Sequence, residues 1–304
     1  MDASLEGQTV LVTGGAGFIG RHLVEALVDS NTVRVLDNGY SGQLDAVPDG
    51  ATLIEGDIRD PETVADAMAD VDVVFHQAAI VSVTESVERP NETNDVNLTG
   101  TVEVLDAARR ADARVVFASS AAIYGRPESV PVAETHPTEP LSPYGLQKLT
   151  ADRYLRLYAD LYGLEGVALR YFNVYGPGQR GGPYSGVVTA FLNRIRAGEP
   201  LVVDGPGTQT RDFVHVEDVV QANLRAATTD ATVEAYNVGT GTAVTVRELA
   251  ERVRDAADAD VSITHGPARS GDVPDSVADI SKARAALGYE PTVSLSAGLE
   301  ALLA

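Results

Sequence analysis

The chain has 304 residues, 44% of them hydrophobic, a formal net charge of −21 and no cysteine. That length carries one large domain or two that share a core, and the missing thiols exclude disulfides and thiolate metal sites, so no metal is expected. The acidic surface disfavours nucleic acid and anionic membranes, no apolar run reaches the length of a membrane span, and Met1–Gln8 lacks a signal-peptide pattern, so a cytoplasmic protein is expected.

In chain order, apolar runs at Thr9–Val12, Val33–Leu36, Thr52–Ile54, Val71–Phe75 and Arg114–Ala118 read as strands, and Phe18–Val28, Pro61–Met68 and Asn97–Arg110 as helices. Short apolar strands alternating with helices imply a parallel sheet covered on both faces. Right-handed crossovers make it an α/β, doubly wound (Rossmann) fold. Past Arg170 the pattern loosens, with Gly and Pro clustered at Gly176–Pro183 and helices expected at Ser185–Ala197 and Val246–Ala257. The expected division is a dinucleotide domain over residues 1–170 and a smaller substrate-binding lobe over 171–304. The lobe is discontinuous, because Val216–Gly239 reads as helix then strand and returns to the main sheet.

The first strand runs into Gly14, Gly17 and Gly20, spaced to open a helix. Gly14 permits the turn, Gly17 admits a pyrophosphate to the amides of the helix N-terminus, and Gly20 lets helix and strand pack closely. Phe18 and Ile19 belong to the same cradle. The second strand ends at Asp37-Asn38, where a carboxylate can accept from both adenosine ribose hydroxyls and repel a 2′-phosphate; NAD is therefore expected rather than NADP. The plain alternative is that Asp37 caps a loop. The third strand ends at Asp57-Ile58, and Asp57 is either an acceptor for the adenine amine or a solvated loop residue.

Ser142-Pro143-Tyr144 opens a long helix that carries Lys148 one turn on. Residues four apart share a helix face. A free tyrosine titrates near 10, too high for a neutral-pH base; a nearby ammonium, the helix N-terminus and a cationic nicotinamide would each favour phenolate. Ser119 and Ser120 lie at the carboxyl end of the fifth strand, where open α/β sheets bind ligands. Ser120, Tyr144 and Lys148 form the expected catalytic group. A chance surface pair is the usual explanation for tyrosine and lysine at this spacing, and the upstream glycine loop argues against it.

Together these segments resemble the extended short-chain dehydrogenase/reductase family, and within it the UDP-glucose 4-epimerases. The likeness runs through Thr13–Gly20, Leu36–Asn38, Gly56–Ile58, His76–Ala79, Asp95–Asn97, Ser119–Gly125, Tyr144–Lys148, Leu169–Gly176, Arg211–His215 and Arg269–Asp272. The resemblance implies that Gln77, Ala78, Ala79, Val81, Asn97, Tyr171 and Phe172 line the NAD channel. It also implies that Asn173, Val187, Val188, Arg211, Arg269, Asp272 and Ser276 hold a UDP-sugar. For each arginine the plain alternative is a salt bridge.

Ala121-Ala122 follow Ser120, so the acidic neighbours of the resembled dehydratases and decarboxylases are missing. The resemblance then implies C4 epimerisation of UDP-glucose/UDP-galactose through a 4-keto intermediate, with N-acetylhexosamine forms admitted by the small Ser276. UDP-glucuronate 4-epimerisation, net oxidoreduction, dehydration or a non-catalytic NAD-binding role are the alternatives. The family commonly pairs the helices of Asn97–Arg110 and Tyr144–Tyr162, so a homodimer is expected. Only Lys148 and Lys282 are lysines; with the −21 charge this reads as adaptation to high salt, the alternative being an acidic protein from a GC-rich genome.

Overall fold

The computed structural model describes residues 5–180, 186–268 and 272–303. In the first half, strands β1 (Thr9–Thr13), β2 (Thr32–Asp37), β3 (Thr52–Glu55), β4 (Val73–His76), β5 (Arg114–Ser120) and β6 (Gly166–Tyr171) alternate with helices. Those helices are α1 (Phe18–Leu27), α2 (Pro61–Met68), α3 (Val83–Glu88), α4 (Pro90–Asn94), α5 (Thr101–Ala111) and α6 (Pro143–Tyr162). The second half runs through β7 (Asn173–Tyr175), α7 (Val187–Arg196), β8 (Leu201–Asp204), β9 (Thr210–Arg211), β10 (Phe213–His215), α8 (Val216–Ala227) and β11 (Val233–Val238). It ends with β12 (Val244–Thr245), α9 (Val246–Ala256), β13 (Ile263–Gly266), β14 (Asp275–Ser276), α10 (Ser281–Leu287) and α11 (Leu295–Ala301).

Seven strands form one sheet in the order β11-β6-β5-β4-β1-β2-β3, and every neighbouring pair is parallel. The chain starts in the middle, moves out to β3, and then crosses back to β4 on the other side of β1. That reversal opens a crevice at the carboxyl ends of β1 and β4, where a parallel sheet receives ligands. Strand alternation separates two cores. Val10 and Val12 pack with Leu23 and Leu27 of α1 and Val219 of α8. Leu11 faces the opposite way, with Met68 of α2, Leu105 of α5 and Leu155 of α6. A sheet buried on both faces explains why its strands read as continuous apolar runs.

Outside this sheet, β8 pairs with β13, β7 with β10, and β9 lies between β12 and β14. Phe191, Leu201, Val203, Leu249 and Val253 form a third, separate core there.

Most expected ends shift by a residue or two, and three differences have a local reason or bear on the site. The helix expected from Asn97 enters through a π turn at Asp95–Gly100, which joins α4 to α5. Strand β4 starts at Val73 rather than Val71, because the Val71 amide closes the turn after α2 on the Met68 carbonyl (3.2 Å). Within the expected Ser185–Ala197 helix, α7 spans Val187–Arg196; Ser185 lies outside the described residues. Strand β6, the centre of the sheet's second half, was not expected as an element.

Candidate active site

The turn from β1 to α1 can be built only with glycine at two of its three positions. Gly14 has φ +70°, and a Cβ there would lie 2.6 Å from the Ala78 amide nitrogen. At Gly20 a Cβ would meet the Gly14 carbonyl oxygen at 2.1 Å, so helix and turn touch through bare backbone. Gly17 is the N-cap of α1, without a side-chain cap and with no acidic residue in the first helical turn. The positive end of the helix is left open to an anion from outside the chain.

A groove of about 740 Å³ starts at this turn. It gathers Gly14, Gly17, Phe18, Ile19, Asp37, Asn38, Asp57, Ile58, Gln77, Ala78, Ala79, Val81, Ser119, Tyr144, Lys148 and Tyr171 along one continuous wall. A ligand of dinucleotide size suits that volume. Asp37 is buried; one carboxylate oxygen accepts from the Ala16 amide (3.0 Å) and the other from Gly39 (2.8 Å). Each oxygen keeps a lone pair for a further donor. Asp57 is more heavily used. Arg59 grips it at 2.9 and 2.7 Å and Asn38 donates to it at 2.9 Å, and the Arg59 contact holds the carboxyl down at about 2.

Two expected channel residues stand elsewhere. Asn97 lies behind the wall: it accepts from the Ile80 amide (2.8 Å) and donates to the Ile80 carbonyl (2.9 Å) and to Gln147 (2.9 Å). Its amide is thus engaged in fixing the loop that carries Gln77–Val81. Phe172 is buried in the main core instead of the groove.

At the far end of the groove, Ser142 caps α6 by accepting from Gly145 (3.1 Å), and Pro143 occupies the first turn. Lys148, one turn inside, is buried with its ammonium donating to the Ala118 carbonyl (2.8 Å) and lying 5.0 Å from the Phe117 ring centroid. Burial pulls its pKa down to about 7. Tyr144 is also buried; burial pushes its phenol above the ordinary value, and the Ser120 hydroxyl pulls the other way. The expected lowering by Lys148 does not accompany these two effects, and the ammonium donates to Ala118. Ser120 also accepts from the Ala122 amide (3.2 Å), while Ser119 donates to the buried Asp152 (3.2 Å).

His76 lies beneath this group. Its Nε2 donates to Thr101 (2.9 Å), whose own hydroxyl proton goes to the Asn97 carbonyl (2.8 Å), so Nδ1 accepts from Thr13 (2.7 Å). Burial and then the Lys148 charge hold it neutral, with a pKa of about 3.

The substrate-side residues converge less completely. Arg211 on β9 donates to its neighbour's carbonyl (2.6 Å) and forms an ion pair with Asp272. This is the salt bridge that stood as the alternative to the expected phosphate contact: a side chain only 12% exposed needs a counter-charge, and another expected substrate residue supplies it. Ser276 on β14 sits opposite Arg211 in parallel register. Asn173 donates to the Asp212 carbonyl (3.3 Å). Val187 is half-buried at the start of α7, whereas Val188 is sealed in the lobe's core. Arg269 lies outside the described residues.

Several residues of the site are not reached by the sequence reading. Ser86 accepts from the Tyr144 amide (3.1 Å) and anchors α3 to the start of α6. Asn223 joins Tyr171 (2.8 Å) and Gln77 (3.2 Å) across 52 and 146 residues. Arg21 and Arg180 line the groove. The run of helix-formers around Asn223 hides a buried amide, and only Arg21, directly after Gly20, carried a positional hint.

A family model described as "NAD dependent epimerase/dehydratase family" matches residues 10–239. The UDP-glucose 4-epimerase of Mycolicibacterium smegmatis is 38% identical over 298 residues, 95% of each chain. Among solved structures, the UDP-glucose 4-epimerase of Thermus thermophilus in complex with NAD is 40% identical over 97% of each chain, with a TM-score of 0.90. The UDP-N-acetylglucosamine 4-epimerase of Methanobrevibacter ruminantium M1, solved with UDP-N-acetylmuramic acid, is 35% identical over 98% of each chain, with a TM-score of 0.95.

Proposed function

This chain belongs to the NAD-dependent epimerase/dehydratase family, and from that membership we propose that it inverts C4 of a UDP-hexose, interconverting UDP-glucose and UDP-galactose with NAD as its cofactor. The observation that carries the reading is the end of the groove: Tyr144 and Lys148 share one helix face there, beside Ser120, and the next residues are Ala121 and Ala122. Tyr144 is the proton-transfer group, and alanines follow Ser120 where the resembled dehydratases and decarboxylases carry acidic residues, which suits an oxidation reversed at the same carbon through a 4-keto sugar.

NAD, when bound, supplies a hydride acceptor and donor. The glycine turn, the open end of α1, Asp37 and the loop Gln77–Val81 hold it, with Tyr171, Ser119 and Lys148 beside them. Tyr144 Oη takes the proton of the C4 hydroxyl and later returns it. Ser120 Oγ orients that hydroxyl, and the Lys148 ammonium favours phenolate when it turns toward Tyr144. Asn173, Arg211, Arg269 and Asp272 anchor the UDP part. Binding energy directed to the diphosphate leaves the hexose free to present its other face.

Incubation with UDP-glucose, UDP-galactose, their N-acetyl forms and UDP-glucuronate, followed by product analysis, tests the reading. C4 epimers are the expected products; accumulation of a 4-keto-6-deoxy sugar or a pentose would overturn it. Ser276 leaves room that a tyrosine would fill, so N-acetylhexosamine forms are substrates as well. Ser276→Tyr then loses the acetylated substrate selectively, and an equal loss of both sugars sinks the gate.

The same proposal covers the wider organisation. Residues 1–170 with 216–239 serve the cofactor, and the rest of 171–304 serves the substrate. The outer face of α6 exposes Leu146, Leu157 and Leu161 by about half, on one stripe of the helix, which favours a homodimer through that face; a monomer in sedimentation would refute it. Among the described residues no helix is long and apolar enough to cross a membrane, and a cytoplasmic site suits an enzyme that draws on NAD and nucleotide sugars. The net charge of −21 supports a halophilic protein.

A further inference from the structure

Residues that neither the glycine motif nor the catalytic group uses link the loops on either side of the glycine turn. β1 lies between β2 and β4, so the loops that leave β2 and β4 flank the turn, about 10 Å apart at two strand spacings. From the β2 side, Tyr40 donates its hydroxyl proton to Glu85 of α3, on the β4 side. Arg89, at the end of α3, donates to the Tyr40 oxygen (2.7 Å), pairs with Glu85, and is steadied by Glu92 (2.9 Å). All four residues line the groove.

Burial separates this contact from an ordinary surface pair. Glu85 is only 6% exposed, and a carboxylate taken out of water needs partners. It draws them from both sides of the turn, 45 residues back and four residues on. Tyr40 and Arg89 are half exposed. The loop beneath Tyr40 is fastened to the turn itself. The Gln43 amide donates to the Ala16 carbonyl (3.0 Å), and Gly42 lies so close that a Cβ would stand 2.8 Å from Ala16. Arg180, from the loop after β7, donates to the Ser41 carbonyl (3.2 Å) and ties the second half of the chain to the same strap.

We propose that Tyr40, Glu85 and Arg89 are positioning residues that form a clasp across the glycine turn and hold the dinucleotide in its groove between turnovers. The proposal rests on the groove being the NAD site. A reaction that ends with its cofactor in the starting state gains from a cofactor that does not exchange. A closed clasp slows entry as well as exit, so its removal accelerates both and leaves the dissociation constant little changed. A simple contact residue would alter exit alone.

The test measures NAD release from the loaded protein by trapping, and NAD entry into the stripped protein, for Tyr40→Phe, Arg89→Met and the double variant. Circular dichroism confirms folding. Each single variant is expected to speed release and entry by about tenfold, and the double variant to add little, since both break one network. Release within twofold of wild type in both single variants overturns the clasp; so does faster release with unchanged entry. Failure of the wild type to bind NAD at all is a different result, which strikes the cofactor assignment and removes the clasp with it.

Discussion

The two halves of the proposed site, cofactor and substrate, are built from different materials, and only the first lines the groove. The cofactor half is backbone: a left-handed Gly14, a helix end without a cap, and a turn pressed against Gly20 with no room for a Cβ. Its shape is set by the backbone itself. The substrate half is side chains mounted on strands of two residues. β9 and β14 hold each other through Thr210 opposite Asp275 and Arg211 opposite Ser276, and Arg211 is already engaged by Asp272. A site made of backbone stands ready, whereas a site made of charge must first exchange one partner for another. The chain's own acidity sharpens the point, since 44 acids surround 23 basic residues.

The comparison breaks first at Tyr144. Tyr144→Phe is expected to lower kcat by about 10²–10⁴-fold, the usual worth of a proton-transfer group, while NAD binding persists because the backbone cradle is intact. Activity within about tenfold of wild type would remove Tyr144 from the chemistry.

Next in size is Gly14→Ala, which probes the backbone directly. Strain at positive φ together with the clash on Ala78 costs about 1–3 kcal/mol, and calorimetric NAD affinity should fall by about tenfold or more. An unchanged affinity would mean that the turn is not the cradle.

Arg211→Ala probes the other half. Loss of a charge-assisted contact of about 1.5–3 kcal/mol should weaken UDP binding roughly tenfold or more and leave NAD binding alone. If UDP affinity does not move, Arg211 is only the partner of Asp272.

The smallest expected effect is on stability. Salt screens the self-repulsion of the −21 chain, so the melting temperature should climb by several degrees toward molar salt. A flat or falling trend contradicts the halophilic assignment.

The same contrast decides what the sequence discloses. The glycine turn, the end of β2 at Asp37 and the capped start of α6 are each one short run of the chain, and local rules for turns and caps reach them. β6 was hidden because Gly166–Tyr171 follows a long helix with only Leu164 and Glu165 between the C-cap glycine and the strand. The position of Asn97 was hidden for another reason: a buried amide satisfies the nearest loop before it meets any ligand, and its target, Ile80, is 17 residues away. The Arg211–Asp272 pair spans 61 residues and follows from the packing of β9 against β14. The resemblance assigns Val188 to the substrate, whereas α7 turns it into the lobe's core. Local pattern finds backbone sites, and tertiary pairing decides which side chains remain available.

The most direct test of the central claim follows a single vessel of NAD-loaded protein and UDP-galactose by proton NMR and by the near-ultraviolet absorbance of reduced nicotinamide. The account predicts conversion to an equilibrium mixture with UDP-glucose over many turnovers, with reduced cofactor never exceeding one equivalent per site. Reduced nicotinamide rising in step with the sugar consumed, or a sugar whose C4 is never inverted, would contradict it.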